Sequence, residues 1–144
     1  MSTPNHRASL VVAERGSAWD RWVAGVSEPG VLLQEQGEAP AVFAQRVRSH
    51  VAELEARGQM PGRVVLVGGR RREGALSARS LMIRAIAHGM VAGGGGELLL
   101  DGHGSDRFTM RALADTVSDM VRGSGLAVVH AQAEPATPMY QNVA

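Results

Sequence analysis

Two short runs constrain this chain more than any other feature: "RVVLVGG" at Arg63–Gly69 and "ELLLDG" at Glu97–Gly102. Each is continuously apolar through its centre instead of alternating. A strand with one wet face alternates, whereas a strand covered on both faces does not. Both runs end in glycine and lead into helical periodicity, and a third run, "LAVVHAQ" from Leu126, follows a third helical segment. Strands that alternate with helices need parallel neighbours and right-handed crossovers.

The helices have clear limits. Pro40 suits a first helical turn. Phe43, Val47, Val51 and Leu54 then make one apolar stripe, and Gly58 is a natural stop. The next helix, about Ala75 to Ala92, is apolar around most of its circumference; only Arg79, Arg84 and His88 clearly interrupt it. Such a helix is either central or covered by a partner, and Met82, Ile83, Ile86 and Met90 are the candidate residues of a dimer seam. In the third helix, Met110, Leu113, Ala114, Val117 and Val121 form the stripe of a surface helix, capped by Ser105 or Asp106 and stopped at Gly123–Gly125.

The first quarter reads differently. "SLVVAER", Ser9–Arg15, is a β-branched run, "AWDRWVAGV" alternates in part, "SEPG" has turn composition, and "VLLQEQ" reads as a returning strand. The expectation is an antiparallel meander of three strands. The whole is then an α/β fold with a mixed sheet of about six strands, the meander first and parallel β-α-β units after it, with helices on both faces. Residues 1–8 are expected to be a flexible N-terminus, 9–131 a single α/β domain, and 132–144 an irregular tail with two prolines.

The order β-β-β-α-β-α-β-α-β over about residues 9 to 130 resembles the ribonuclease H-like superfamily, and within it the non-catalytic middle domain of translation release factors. In nucleases of that superfamily the resemblance implies carboxylates on the first strand and at the end of the fourth, for two-metal catalysis. Here the first strand offers only Glu14, and the fourth ends in Gly68-Gly69. A nuclease is not expected.

Composition removes other chemistries. The chain has 144 residues and no cysteine, which excludes disulfides, thiolate nucleophiles and cysteine zinc sites. All 15 basic residues are arginine, so Schiff bases and a P-loop lysine are excluded as well. A net charge of +1 and five aromatic residues provide neither a phosphate-binding surplus nor a base-stacking platform. No apolar run reaches the roughly 18 residues that span a bilayer, and no signal peptide is visible, so a cytoplasmic location is expected.

Two loops carry the candidate chemistry. After the strand at Val64, Gly69 and Gly74 have the outer spacing of a P-loop, but Ala75 and Leu76 stand where its lysine and hydroxyl would be. What remains is a helix N-terminus preceded by Arg70, Arg71 and Arg72, which with Gly74 could hold an anion. A solvated turn is the simpler reading. The second loop is "DGHGSD". Asp101 and Asp106 could hold a divalent metal or ligand, with His103 as general base; helix capping and an exposed histidine explain the same residues. If the two preceding strands are parallel neighbours, both loops share one edge, where open α/β sheets bind ligands. His50, His88 and His130 form no ligand pair, and no H-E-x-x-H or G-x-S-x-G motif occurs.

With no complete catalytic constellation, the expected function is a non-catalytic α/β binding or regulatory module that acts through protein–protein contacts, with a partner or with itself as a homodimer. No cofactor, membrane contact or nucleic-acid partner is expected. The alternative is an enzyme or sensor that binds a phosphorylated or carboxylated small molecule at the Arg70–Arg72 and Asp101–Asp106 loops.

Overall fold

The computed structural model describes residues 8–23, 28–69, 74–102 and 107–131. Their order is β1 (Ala8–Ala13), α1 (Asp20–Val23), β2 (Glu28–Leu33), α2 (Pro40–Ala56), β3 (Arg63–Val67), α3 (Ala75–Ala92), β4 (Gly96–Asp101), α4 (Arg107–Met120) and β5 (Leu126–Ala131). The five strands form one sheet in the order β2-β1-β3-β4-β5. Every pairing is parallel.

This corrects the expected mixed sheet of six strands. The segment read as a second meander strand contains the short helix α1, whose four residues are too few to show a period. "SEPG" is not a turn between strands: Glu28, Pro29 and Gly30 open β2. Pro29 pairs with Ser9 on the outermost strand of the sheet, where proline is tolerated. A strand that runs parallel to β1 cannot be reached by a tight turn, and α1 lies in the connection that brings it round. With no antiparallel strand among the described residues, the element order that resembled the ribonuclease H-like superfamily is not matched.

The layers follow from the crossovers. The chain steps outward from β1 to β2, then reverses and runs through β3 and β4 to β5. Right-handed connections place the helix before the reversal on one face and the later helices on the other. The packing agrees. Leu10, Val12, Val64, Leu66, Leu98 and Leu100 meet Phe43, Val47, Ile83, Ile86, Met90, Met110 and Val117 from α2, α3 and α4 on the front face. On the back face Val11, Ala13, Val65, Val67 and Leu99 are covered by Trp19, Trp22, Val23 and Val31. β3 and β4 are therefore buried on both sides, as their continuous apolar runs require.

Met82, Ile83, Ile86 and Met90 were the expected dimer seam. All four are 0–1 % exposed within the single chain, because α3 lies over the sheet between α2 and α4. The helix is central and the face that carries these four residues is covered by its own chain, while Leu76, Leu81 and Val91 stay exposed on its outer side. No helix among the described residues is long and apolar enough to cross a membrane.

Candidate functional site

The reversal of direction falls between β1 and β3, which are neighbours in the sheet. In open parallel sheets, ligands bind beyond the carboxyl ends of the strands at such a point. The groups found there are Glu14 and Arg15 after β1, Gly68 and Gly69 after β3, and Gly102 after β4.

Glu14 and Arg79 fill this position. Arg79 lies one turn into α3 and is fully buried; Glu14 is 6 % exposed. Arg79 Nε donates to Glu14 Oε2 at 2.6 Å, and Arg79 Nη2 donates to Glu14 Oε1 at 2.7 Å. The Gly69 amide donates to Glu14 Oε1 at 3.0 Å, and Arg79 Nη2 also donates to the Gly69 carbonyl at 3.1 Å. A guanidinium cannot shed its proton at this depth, so it needs a charged partner. The fork of arginine meets both carboxylate oxygens, which is its preferred geometry.

Gly69 is glycine for a local reason. A Cβ there would lie 2.3 Å from the Arg15 carbonyl oxygen. The ends of β1 and β3 press together, and the Glu14 carboxylate crosses between them. Gly102 is similarly tight, since a Cβ there would sit 2.6 Å from Arg107 Cα. Gly74 serves backbone geometry instead: it is the N-cap of α3 at φ 82°, with open space around it. Gly69, Gly74 and Gly102 thus have intramolecular duties.

The premise that brought the two candidate loops together holds. β3 and β4 are parallel neighbours, Val67 pairs with Asp101, and the Gly68 amide donates to the Asp101 carbonyl at 2.8 Å. Asp101 is buried at the end of β4 and accepts a hydrogen bond from Trp22 Nε1 at 2.6 Å, which ties α1 to the sheet. Arg70, Arg71, Arg72, His103 and Asp106 lie outside the described residues. Among the described residues, no group of three or more His, Asp or Glu could hold a metal. His88 is exposed on α3, its Nδ1 3.7 Å from Glu55 Oε1 on α2. His50 is half-buried on α2, and His130 lies near the end of β5.

A second network holds the turn between β2 and α2. Arg46 Nε and Nη2 donate to both oxygens of Glu38 at 2.9 and 2.8 Å, and Arg46 Nη2 also reaches the Leu33 carbonyl. The bond from Arg46 holds the Glu38 carboxyl below its ordinary value; burial opposes this but does not win. Gln34 links this turn to the sheet: its Oε1 accepts from the Arg15 amide and its Nε2 donates to the Glu38 carbonyl.

The front helices leave open surface. A groove of about 350 Å³ runs between α3 and the end of α4. Ala87 and Val117 form its floor, Val91, Met120 and Val121 its apolar walls, and Arg84 and His88 one rim. Met120 is 62 % exposed. A shallower hollow between α2 and α3 is lined by Arg48, Ser49, Glu55 and His88 among others and is much more polar.

The two contacts that organise the carboxyl edge, Glu14–Arg79 and Trp22–Asp101, did not emerge from sequence reasoning. Their traces were visible. Arg79 interrupts an otherwise apolar helix, and Glu14 is the acid at the end of an apolar strand. Nothing local couples residues 65 positions apart.

Fold and site together define a doubly wound, all-parallel α/β protein with the strand order 2-1-3-4-5, which flavodoxin-like folds also use. In this chain the crossing point is closed by its own ion pair. No family model, curated protein or solved structure matches the chain.

Proposed function

We propose that the chain is a non-catalytic binding module whose front helical layer docks a protein partner in the groove between α3 and α4. The observation that carries this reading is the groove itself: an apolar floor and walls, Arg84 and His88 on the rim, and no carboxylate in the lining. A groove between two helices suits an amphipathic helix laid lengthwise. Arg84 on the rim selects a segment with acidic residues flanking its apolar face. A second copy of the chain fits less well. A two-fold contact places the same patch on both sides, so two basic rims would face each other with no acid in either lining.

Selection from a random-peptide display library against the wild-type chain tests this. The enriched peptides should be amphipathic and acidic. They should lose binding to Met120→Glu and to Arg84→Glu while both variants keep the wild-type circular dichroism and melting temperature. Enrichment of basic peptides, or binding indifferent to both substitutions, would refute the reading. Light scattering at high concentration covers self-association: a dimer broken by Met120→Glu would replace the foreign partner with a second copy.

One observation supports a second reading, an anionic small molecule at the carboxyl edge: β3 and β4 are parallel, so the loops that carry Arg70–Arg72 and His103 leave from the same side. Thermal stabilisation by phosphate that disappears in Arg71→Ala/Arg72→Ala would favour it over partner docking.

A further inference from the structure

Sulfur is scarce in this chain and unevenly placed. There is no cysteine, so methionine alone can undergo reversible sulfur oxidation. Of the methionines among the described residues, Met82, Met90 and Met110 are 0–1 % exposed in the core. Met60 is half-buried, its sulfur 3.3 Å from where a Cβ on Gly89 would stand. Met120 alone among them stands open, 62 % exposed at the last residue of α4. That side chain is also a wall of the groove of about 350 Å³ between α3 and α4, which it lines together with Ala87, Val91, Val117 and Val121. The sulfur that an oxidant reaches most directly therefore belongs to the docking surface.

We infer that Met120 is a redox switch of the groove: oxidation of its thioether to the sulfoxide closes the site to an apolar partner, and reduction reopens it. The switch rests on the groove's being a docking site for an amphipathic segment. The oxidant is a hydroperoxide. The sulfur lone pair attacks one peroxide oxygen, an S–O bond forms and the O–O bond breaks. The proton on the transferred oxygen passes to the departing one. With hydrogen peroxide, sulfur gives up two electrons and the products are the sulfoxide and water. Methionine sulfoxide reductases reverse the step, oxidising a dithiol to a disulfide and releasing the oxygen as water. The effect on docking follows from the lining. A thioether is adaptable and packs well against an apolar face. A sulfoxide pressed against the same face loses its water and gains no donor in return. If it takes the Arg84 guanidinium instead, the partner's acid loses its counter-ion, so either course weakens docking. The fold is indifferent to the change, because Met120 belongs to neither core cluster.

The test uses a peptide selected on the reduced wild-type chain. The chain is treated with hydrogen peroxide, which is removed before the peptide is added. Mass spectrometry of proteolytic fragments should find Met120 oxidised before Met60, Met82, Met90 and Met110, with circular dichroism and melting temperature unchanged. Peptide affinity should fall about tenfold or more in step with the Met120 sulfoxide and return after reductase treatment. Met120→Leu, similar in volume, should bind the peptide and keep binding it after the same peroxide treatment. Met120→Gln, polar where the sulfoxide would be, should bind weakly without any peroxide. Oxidation of the core methionines ahead of Met120 would overturn the inference. So would undiminished binding by the Met120 sulfoxide, or an equal loss of binding in Met120→Leu. Docking and switch fail separately. A peptide that binds the reduced and oxidised chains alike removes the switch and leaves docking; if no peptide binds the reduced chain, docking falls and the switch with it.

Discussion

At the residue scale, two glycines in one loop separate two reasons for being glycine. A Cβ at Gly69 would meet the Arg15 carbonyl at 2.3 Å, and backbone cannot retreat without parting β1 from β3. Gly69→Ala should cost about 3 kcal/mol or more in urea denaturation. Gly74 has open space but φ 82°, so Gly74→Ala should cost only about 1 kcal/mol, the left-handed penalty. Equal losses would contradict this division. Glu38 provides a pH signature. Arg46 lowers its folded pKa below the ordinary 4.5. Its stabilisation is therefore complete above the unfolded value and is lost as pH falls through the lower, folded one. Glu38→Gln should be less stable than wild type by about 0.5–1 kcal/mol near neutral pH, and the gap should close as pH falls below the ordinary carboxylate value. A gap that stays constant across this range, followed by urea midpoints, would remove Glu38 from the acid response.

At the element scale, legibility followed periodicity. α2 and α4 carry stripes long enough to read, and Pro40 and Gly58 bracket the first of them. β3 and β4 were readable because burial on two faces leaves an unbroken apolar run. The first quarter was misread because α1 is a single turn, shorter than any period, and because Pro29-Gly30 has turn composition while sitting in an edge strand. Whether β2 runs parallel or antiparallel to β1 is a property of the path between them, not of either segment. The contacts at the carboxyl edge were illegible for a related reason. Individual residues at the carboxyl edge could be named, but the pairing of Glu14 with Arg79 exists only once β1 and α3 are stacked. Where the cover of Met82, Ile83, Ile86 and Met90 comes from was not legible, because an all-round apolar helix looks the same whether it is covered by its own chain or another. Its true state is testable. Ile83→Ala, with no exposure in the monomer, should cost about 2–5 kcal/mol in equilibrium denaturation. Leu81→Ala, 46 % exposed on the same helix, should cost less than about 1 kcal/mol. A mild Ile83→Ala would mean that α3 is not centrally packed.

At the scale of the whole molecule, the described residues cover the sheet unevenly. Among them, three helices of 14–18 residues lie on the front and a four-residue helix on the back. β1, β3 and β4 are each flanked by two strands, while β2 and β5 form the margins. Amide exchange should follow this order: slowest in Val11–Val12, Val64–Leu66 and Leu98–Leu100, faster in β2 and β5. Protection of β5 equal to that of β4 would argue against the marginal position. The ion pair at the carboxyl edge and the groove of the front layer lie at different ends of α3. A partner gripping the groove therefore leaves that ion pair untouched.

The thin side of the sheet also carries both tryptophans of the chain, Trp19 and Trp22. Indole emission consequently reports on that layer, whereas most of the helical far-ultraviolet signal of the described residues comes from the helices opposite. Recorded together during unfolding, the two colours of light would show whether the molecule's two sides come apart at the same moment.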